Sequence, residues 1–283
     1  MGSYTIKSAE NTAVIDSLGA ELQSYSTVNT NYIWSIDENF WNKTSPLLFP
    51  IVGRLKNDFY TFDDTSYELP RHGFARNYNF EVIAQNENSI LFSLKSNTAT
   101  KIVYPFEFEL QISYTLMGNA LTITYTVLNN SLEKMPFSIG AHPAFAINAD
   151  FNDYSLTFEN DEQLHSHLLE NELFSGEIKT IKLDNKSLPL NYSLFEKDAI
   201  VLKHFKSKWV TLNKLNIPIL KINLGNFPHL GIWTKKDAPF LCIEPWHGYA
   251  DSNTSTNAIT DKEGIVSLNA TTSFSTSSSI EIL

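Results

Sequence analysis

The sequence predicts an all-β fold, a sandwich or barrel of many antiparallel strands, and three observations carry that prediction. Leu110, Ile112, Tyr114 and Leu116 alternate with Glu109, Gln111, Ser113 and Thr115, and Leu121, Ile123, Tyr125 and Val127 then alternate with threonines. With Met117-Gly118-Asn119-Ala120 between the two runs, this is a hairpin with one buried face. Short apolar runs bounded by Asn, Asp, Gly or Pro recur at residues 89–96, 154–158, 199–203, 220–224 and 240–244. Helical periodicity is scarce, its best stretch being residues 161–169, so the βαβ repetition of a parallel sheet is missing. The Ser/Thr-rich tail, residues 271–283, spaces its apolar residues as a final strand.

At 283 residues, with 42% apolar and 13% aromatic side chains, the chain can bury a large core. No linker-like or charge-block segment divides it, so residues 1–283 are read as one domain. A net charge of −10 argues against nucleic acid or an anionic membrane as partner. Cys242 is the only cysteine, which excludes a disulfide framework and a cysteine zinc finger and suits a reducing compartment. The start, MGSYTIKSAE, has neither a basic nor an apolar targeting region, and no run approaches the roughly 18 apolar residues of a span. A cytoplasmic protein, monomer or homodimer, is expected.

The chain favours lysine, yet its three arginines, Arg54, Arg71 and Arg76, fall close together. They mark either places where a planar fork of donors is needed or salt bridges within one loop region. Arg71-His72-Gly73-Phe74-Ala75-Arg76 sets a histidine between Pro70 and Gly73, in a loop of the kind that carries sites on β scaffolds. Gly140-Ala141-His142-Pro143-Ala144-Phe145 does the same among apolar neighbours; His142 is either a proton-transfer group or a core histidine bonded to the backbone. Glu244-Pro245-Trp246-His247-Gly248 ends an apolar strand with a carboxylate, which must be paired or kept for chemistry with a raised pKa. Trp233 and Trp246 are either simply core or flat apolar faces of the kind on which sugar rings stack. His165-x-His167 supplies two metal-ligand types on one strand face without a confirming third, and no Walker A, Gly-x-Ser-x-Gly or Gly-x-Gly-x-x-Gly pattern occurs. Cys242 reads as a buried small hydrophobe, and His204 and His229 as structural.

The segments 71–76, 140–145 and 244–251, in this order and separation, together resemble the aldose 1-epimerase (galactose mutarotase) family, most closely its LacX-like branch. Phe49-Pro50-Ile51-Val52-Gly53-Arg54-Leu55 and Leu230-Gly231-Ile232-Trp233-Thr234 are similar to that branch as well. The resemblance implies a large single-domain antiparallel β-sandwich, a hexose substrate and no cofactor. It implies Glu244 as general base on the anomeric hydroxyl, His142 as general acid at the ring oxygen, and His72 as a second histidine polarising the sugar. Arg54 matches a sugar-binding arginine and Asp198 a hydroxyl-binding aspartate. That chemistry places the Glu244 pKa above its usual value of about 4.3 and that of His142 near or above about 6.5. Two alternatives stay open: a hexose-6-phosphate mutarotase, with Arg71 or Arg76 on the phosphate but no long-range help from the −10 charge, and a non-catalytic carbohydrate sensor. A metal-dependent isomerase would use His165 and His167.

Overall fold

The computed structural model describes residues 2–8 and 10–283. Among them the long ladders are antiparallel, and the fold is an all-β sandwich. One sheet of nine strands runs, neighbour to neighbour, Ser187–Pro189, Tyr154–Phe158, Trp209–Lys214, Ile217–Asn223, Ser273–Ile282, Ala120–Asn129, Phe108–Met117, Ser89–Lys95 and Glu81–Gln85. The other, of eight, runs Leu173–Lys182, Gln163–Glu170, Ile200–Leu202, His229–Trp233, Phe240–His247, Ile139–Ala141 and Leu47–Leu48, with Ala144–Ala146 also on Phe240–His247. Ser3–Ser8, Asn11–Asp16 and Glu21–Ser26 form a smaller sheet.

The alternation expected between residues 108 and 128 is the central hairpin, paired from Ala120↔Met117 to Asn129↔Phe108. Its inward residues, Leu110, Ile112, Tyr114, Leu116, Leu121, Ile123, Tyr125 and Val127, are all buried. They meet Leu230, Ile232, Leu241 and Ile243 of the eight-stranded sheet in one apolar cluster. Burying each large side chain contributes about 1.5–3 kcal/mol, which is why period-two sequence is decisive here. Gly118, at φ +59°, opens the two-residue turn with a left-handed backbone that suits glycine. The tail forms the strand Ser273–Ile282, paired with Ala120–Asn129 on one side and Ile217–Asn223 on the other.

Residues 161–169 are not helical, contrary to their periodicity: Gln163–Glu170 is a strand, paired with Leu173–Lys182. The register shifts between His167 and Leu169, where the partner strand Leu173–Lys182 carries two extra residues opposite Leu168. Leu164, Leu168 and Leu169 imitate a helical stripe because the second buried position of the strand is the polar Ser166, so its inward side does not read as an apolar alternation. The α-helix Thr98–Val103 went unread in the sequence; its signal is a capping box between Asn97 and Thr100. The run 240–244 continues to His247 through Pro245. Its neighbour is interrupted there, pairing passing from Ala144↔Cys242 to Gly140↔Trp246, so Pro245, which has no N–H to donate, falls within the gap between these pairings.

Candidate active site

Phe240–His247 is a central strand buried on both faces. Leu241 and Ile243 point into the sandwich core, so alternation turns Phe240, Cys242, Glu244 and Trp246 to the outer face of the sheet. The same alternation on His229–Trp233 turns Gly231 and Trp233 outward, opposite Glu244 and Cys242 in the ladder. Trp246 lies across the neighbouring strands: a Cβ on Gly140 would stand 2.5 Å from its ring, and one on Gly231 2.4 Å. Glycine is required at both positions for the indole to lie flat. Above this floor is a cleft of about 230 Å³.

Glu244, His142 and His72 all line the cleft. His142 Nε2 stands 3.3 Å from Glu244 Oε2, yet neither that oxygen nor His142 Nδ1 has a hydrogen-bond partner among the described residues. Glu244 is 2% exposed, and burial, opposed in part by the Arg71 charge, raises its pKa well above the carboxylate range. That agrees with the expectation for Glu244. The expectation for His142 is overturned: its pKa is pushed down to about 3, by burial first and then by the Arg71 charge. The sequence showed the flanking Pro143 but not near-complete enclosure beside two guanidiniums. His72 is likewise held well below its usual value, by burial, Arg71, His142 and Arg76. Its Nδ1 accepts the Gly53 N–H at 3.1 Å, so the neutral ring keeps Nε2–H as its donor. His72 sits at φ +67° and Asp198 at φ +122°, so two of the cleft side chains are aimed by uncommon backbone geometry.

Arg71, Arg76, Asp198, Trp233 and Trp246 also line the cleft. Arg54 does not: its Nε and Nη2 hold Asp58 at 2.7 and 2.6 Å, and its Nη1 lies 3.3 Å from Glu172. Glu172, at the tip of the hairpin joining Gln163–Glu170 to Leu173–Lys182, also takes Arg71 Nη1, so Arg54 reaches the cleft only through this carboxylate. Sequence reasoning missed Glu172, Trp41 and Lys43, all on the cleft wall. Trp41 lies tilted over His142, with centroids 5.0 Å apart, and edge-on to Trp233 at 5.7 Å. Its loop is held by Glu21, whose Oε1 accepts from Thr44 N–H, Thr44 O–H and Ser45 N–H. An aromatic within Asp37-Glu38-Asn39-Phe40-Trp41 was the available signal.

His165 is engaged by Gln163 and Thr180 at 3.2 Å, and His167 packs against Phe174. Among the described residues the donor set compact enough for a metal is instead His142, Cys242 and Glu244, whose ligand atoms lie within 4.8 Å of one another. Nitrogen, sulfur and carboxylate suit zinc, but burial and Glu244 hold the Cys242 thiol protonated, and two guanidiniums nearby oppose a dication.

A family model described as aldose 1-epimerase matches residues 2–260. The chain belongs to the aldose 1-epimerase family. It is 38% identical, over 267 residues that are 89% of each chain, to "Protein LacX, chromosomal" of Lactococcus lactis, which places it in the LacX-like branch. A solved galactose mutarotase related enzyme from Lactobacillus acidophilus superposes with a TM-score of 0.95 at 31% identity, covering 100% of this chain and 97% of that one. A galactose mutarotase-like protein from Lactobacillus casei gives 0.91 at 30% identity, covering both chains in full. In this epimerase-family chain, the segments 71–76, 140–145 and 244–251 that carried the resemblance all contribute to the cleft. No helix among the described residues is long and apolar enough to cross a membrane.

Proposed function

We propose that the protein is a mutarotase, interconverting the α and β anomers of a hexose by acid–base catalysis in this cleft. The observation that carries the reading is the Glu244–His142 pair, 3.3 Å apart on the cleft floor, with a carboxylate oxygen that no described residue hydrogen-bonds. A buried carboxylate without a partner is costly, and a protein that only held sugar would gain nothing from it.

The raised Glu244 and lowered His142 titrations describe a pair that holds one proton between two adjacent atoms. In the tautomer with that proton on His142, Glu244 is the base and His142 the acid. Glu244 takes the O1 proton as His142 protonates the ring oxygen; the C1–O5 bond breaks and C1=O1 forms. After rotation about C1–C2, the ring oxygen attacks the other carbonyl face. Its proton returns to His142 and Glu244 returns one to O1, so the cycle balances without cofactor. Positioned acid and base each contribute on the order of 10²–10⁴-fold. His72 donates Nε2–H to a sugar oxygen, Asp198 accepts from hydroxyls, and Trp41, Trp233 and Trp246 enclose the ring.

Following the optical rotation of freshly dissolved α-D-galactose and α-D-glucose tests this. Acceleration abolished by Glu244→Gln is the expected result; sugar binding without acceleration would make the protein a sensor.

A further inference from the structure

Cys242 is a buried nucleophile beside the acid–base pair that the cycle of proton transfers does not use. Alternation along Phe240–His247 turns it to the same face as Glu244, two residues on. Its ladder partners are Ala144, two residues after His142, and Trp233. It is fully buried and does not line the cleft. Its Sγ, a nitrogen of His142 and a carboxylate oxygen of Glu244 nevertheless lie within 4.8 Å of one another. The thiol therefore closes a third side of the pair from outside the cleft. Trp34, Ala144, Ala238 and Phe240 pack around it and bring no hydroxyl or charge.

A buried carboxylate ordinarily collects hydrogen-bond donors. Glu244 Oε2 has none among the described residues, although a side chain that can donate stands this close. The chemistry of sulfur accounts for both facts. An S–H is a weak donor and a weak acceptor, whereas a serine hydroxyl, which fits the same space, is a strong donor. Burial, and then the Glu244 charge, keeps the thiol protonated, so it sets no second anion beside the base. The other groups facing Glu244 are the His142 imidazole with His72 beyond it, the charges of Arg71 and Asp198, and the Trp246 indole on its own strand. Gly231, opposite Glu244 in the ladder, brings no side chain. Exchanging Cys242 for serine thus changes donor strength at Glu244 with no change in charge and little in shape.

We propose that Cys242 is a positioning residue of the acid–base pair: its thiol fills the third side of Glu244 with a donor too weak to hold the carboxylate, which leaves Oε2 free for the proton of the anomeric hydroxyl. The identity of that proton rests on the mutarotase reading; the relation between thiol and carboxylate is measurable without turnover.

Because Cys242 is the only cysteine, the infrared S–H band of the wild-type protein belongs to it alone. That band should move to lower frequency as Glu244 ionises on the alkaline side and stay fixed in Glu244→Gln. Carbon-13 NMR of the Glu244 carboxyl then compares two variants of nearly equal size. Cys242→Ser should lower the Glu244 titration, and with it the alkaline limb of kcat/KM, by about one pH unit, and reduce kcat about tenfold with KM almost constant. Cys242→Ala, which has no donor, should keep the wild-type titration and most of its kcat. Equal shifts in the two variants would make Cys242 a packing residue only, and so would a wild-type S–H band that stays put while Glu244 ionises; either result overturns the proposal. A band that follows Glu244 in a protein that binds hexose without mutarotation would uphold the relation between thiol and carboxylate and remove the mutarotase reading instead.

Discussion

His142 Nε2 and Glu244 Oε2 face each other across 3.3 Å inside a buried cleft, with titrations displaced in opposite directions. The two residues are 102 positions apart, brought together because Ile139–Ala141 and Phe240–His247 are ladder neighbours and the chain breaks away at His142-Pro143. Enclosure and the Arg71 and Arg76 charges make a proton on His142 costly, while enclosure first and then the Asp198 charge make a charge on Glu244 costly against the pull of Arg71.

Glu244→Gln nearly preserves the shape of the protonated carboxyl and should leave the fold intact while lowering kcat by about 10²–10⁴-fold. Because the folded-state pKa of Glu244 is raised, ionising it opposes folding as pH rises above the ordinary carboxylate range. The variant should therefore melt at the same temperature as wild type at pH 5 and at the same or a higher one at pH 8. Polarimetry and thermal melts read the two effects; retained turnover would remove Glu244 as the base.

The pH dependence of kcat/KM should be flat from neutral pH down to pH 5, since His142 gains a second proton only near pH 3. Activity should fall on the alkaline side, where the pair loses its one proton. An acid limb centred near pH 6.5 would show that His142 titrates as an ordinary histidine in the working enzyme.

His247 packs between Phe227 and Phe274, its Nε2 without a partner among the described residues, and burial lowers its pKa from 6.5 to about 4. A lowered folded-state pKa means full stability above pH 6.5, lost as pH falls toward 4, up to about 3 kcal/mol in the limit. Urea titrations at pH 7 and pH 4.5 should show a smaller loss for His247→Phe than for wild type; parallel losses would assign the acid sensitivity to the other buried histidines.

Trp41→Ala removes the ring tilted over His142. An aromatic contact of about 0.5–1.5 kcal/mol predicts roughly a tenfold fall in kcat/KM, and the His142 resonance should titrate nearer to 6.5 once water reaches it. Unchanged kinetics would mean that the indole shields neither the sugar nor the imidazole.

Lys262 and Asp251 form a buried ion pair at 2.7 Å, and Asp251 also accepts the Lys56 N–H at 2.9 Å, tying the stretch after the Glu244 strand to the Arg54 loop. Lys262→Met leaves a buried carboxylate uncompensated and should cost about 3–5 kcal/mol in urea unfolding; Asp251→Asn with Lys262→Met should recover much of it.

Strands at 89–96, 154–158 and 108–128 were legible because alternation is written in consecutive residues. The strand at 163–170 was not, because polar Ser166 occupies one of its two fully buried positions, and that burial exists only once the neighbouring strands are in place. The histidines, Glu244 and two arginines of the cleft were legible as motifs, since their loops carry their own Pro and Gly. Glu172 and Trp41 carry no such local mark.

The sequence by itself determined which face of each regular strand is buried and which polar groups interrupt apolar runs, because both follow from neighbours one or two residues away. Only the tertiary structure decided that Arg54 is spent on Asp58 and Glu172, that Arg76 meets no acidic side chain within ion-pair distance among the described residues, and that His142 resists protonation. Charge, enclosure and hydrogen-bond supply at a point come from every segment that packs around it. Arg54 and Glu172 lie 118 residues apart, a distance over which no periodicity speaks.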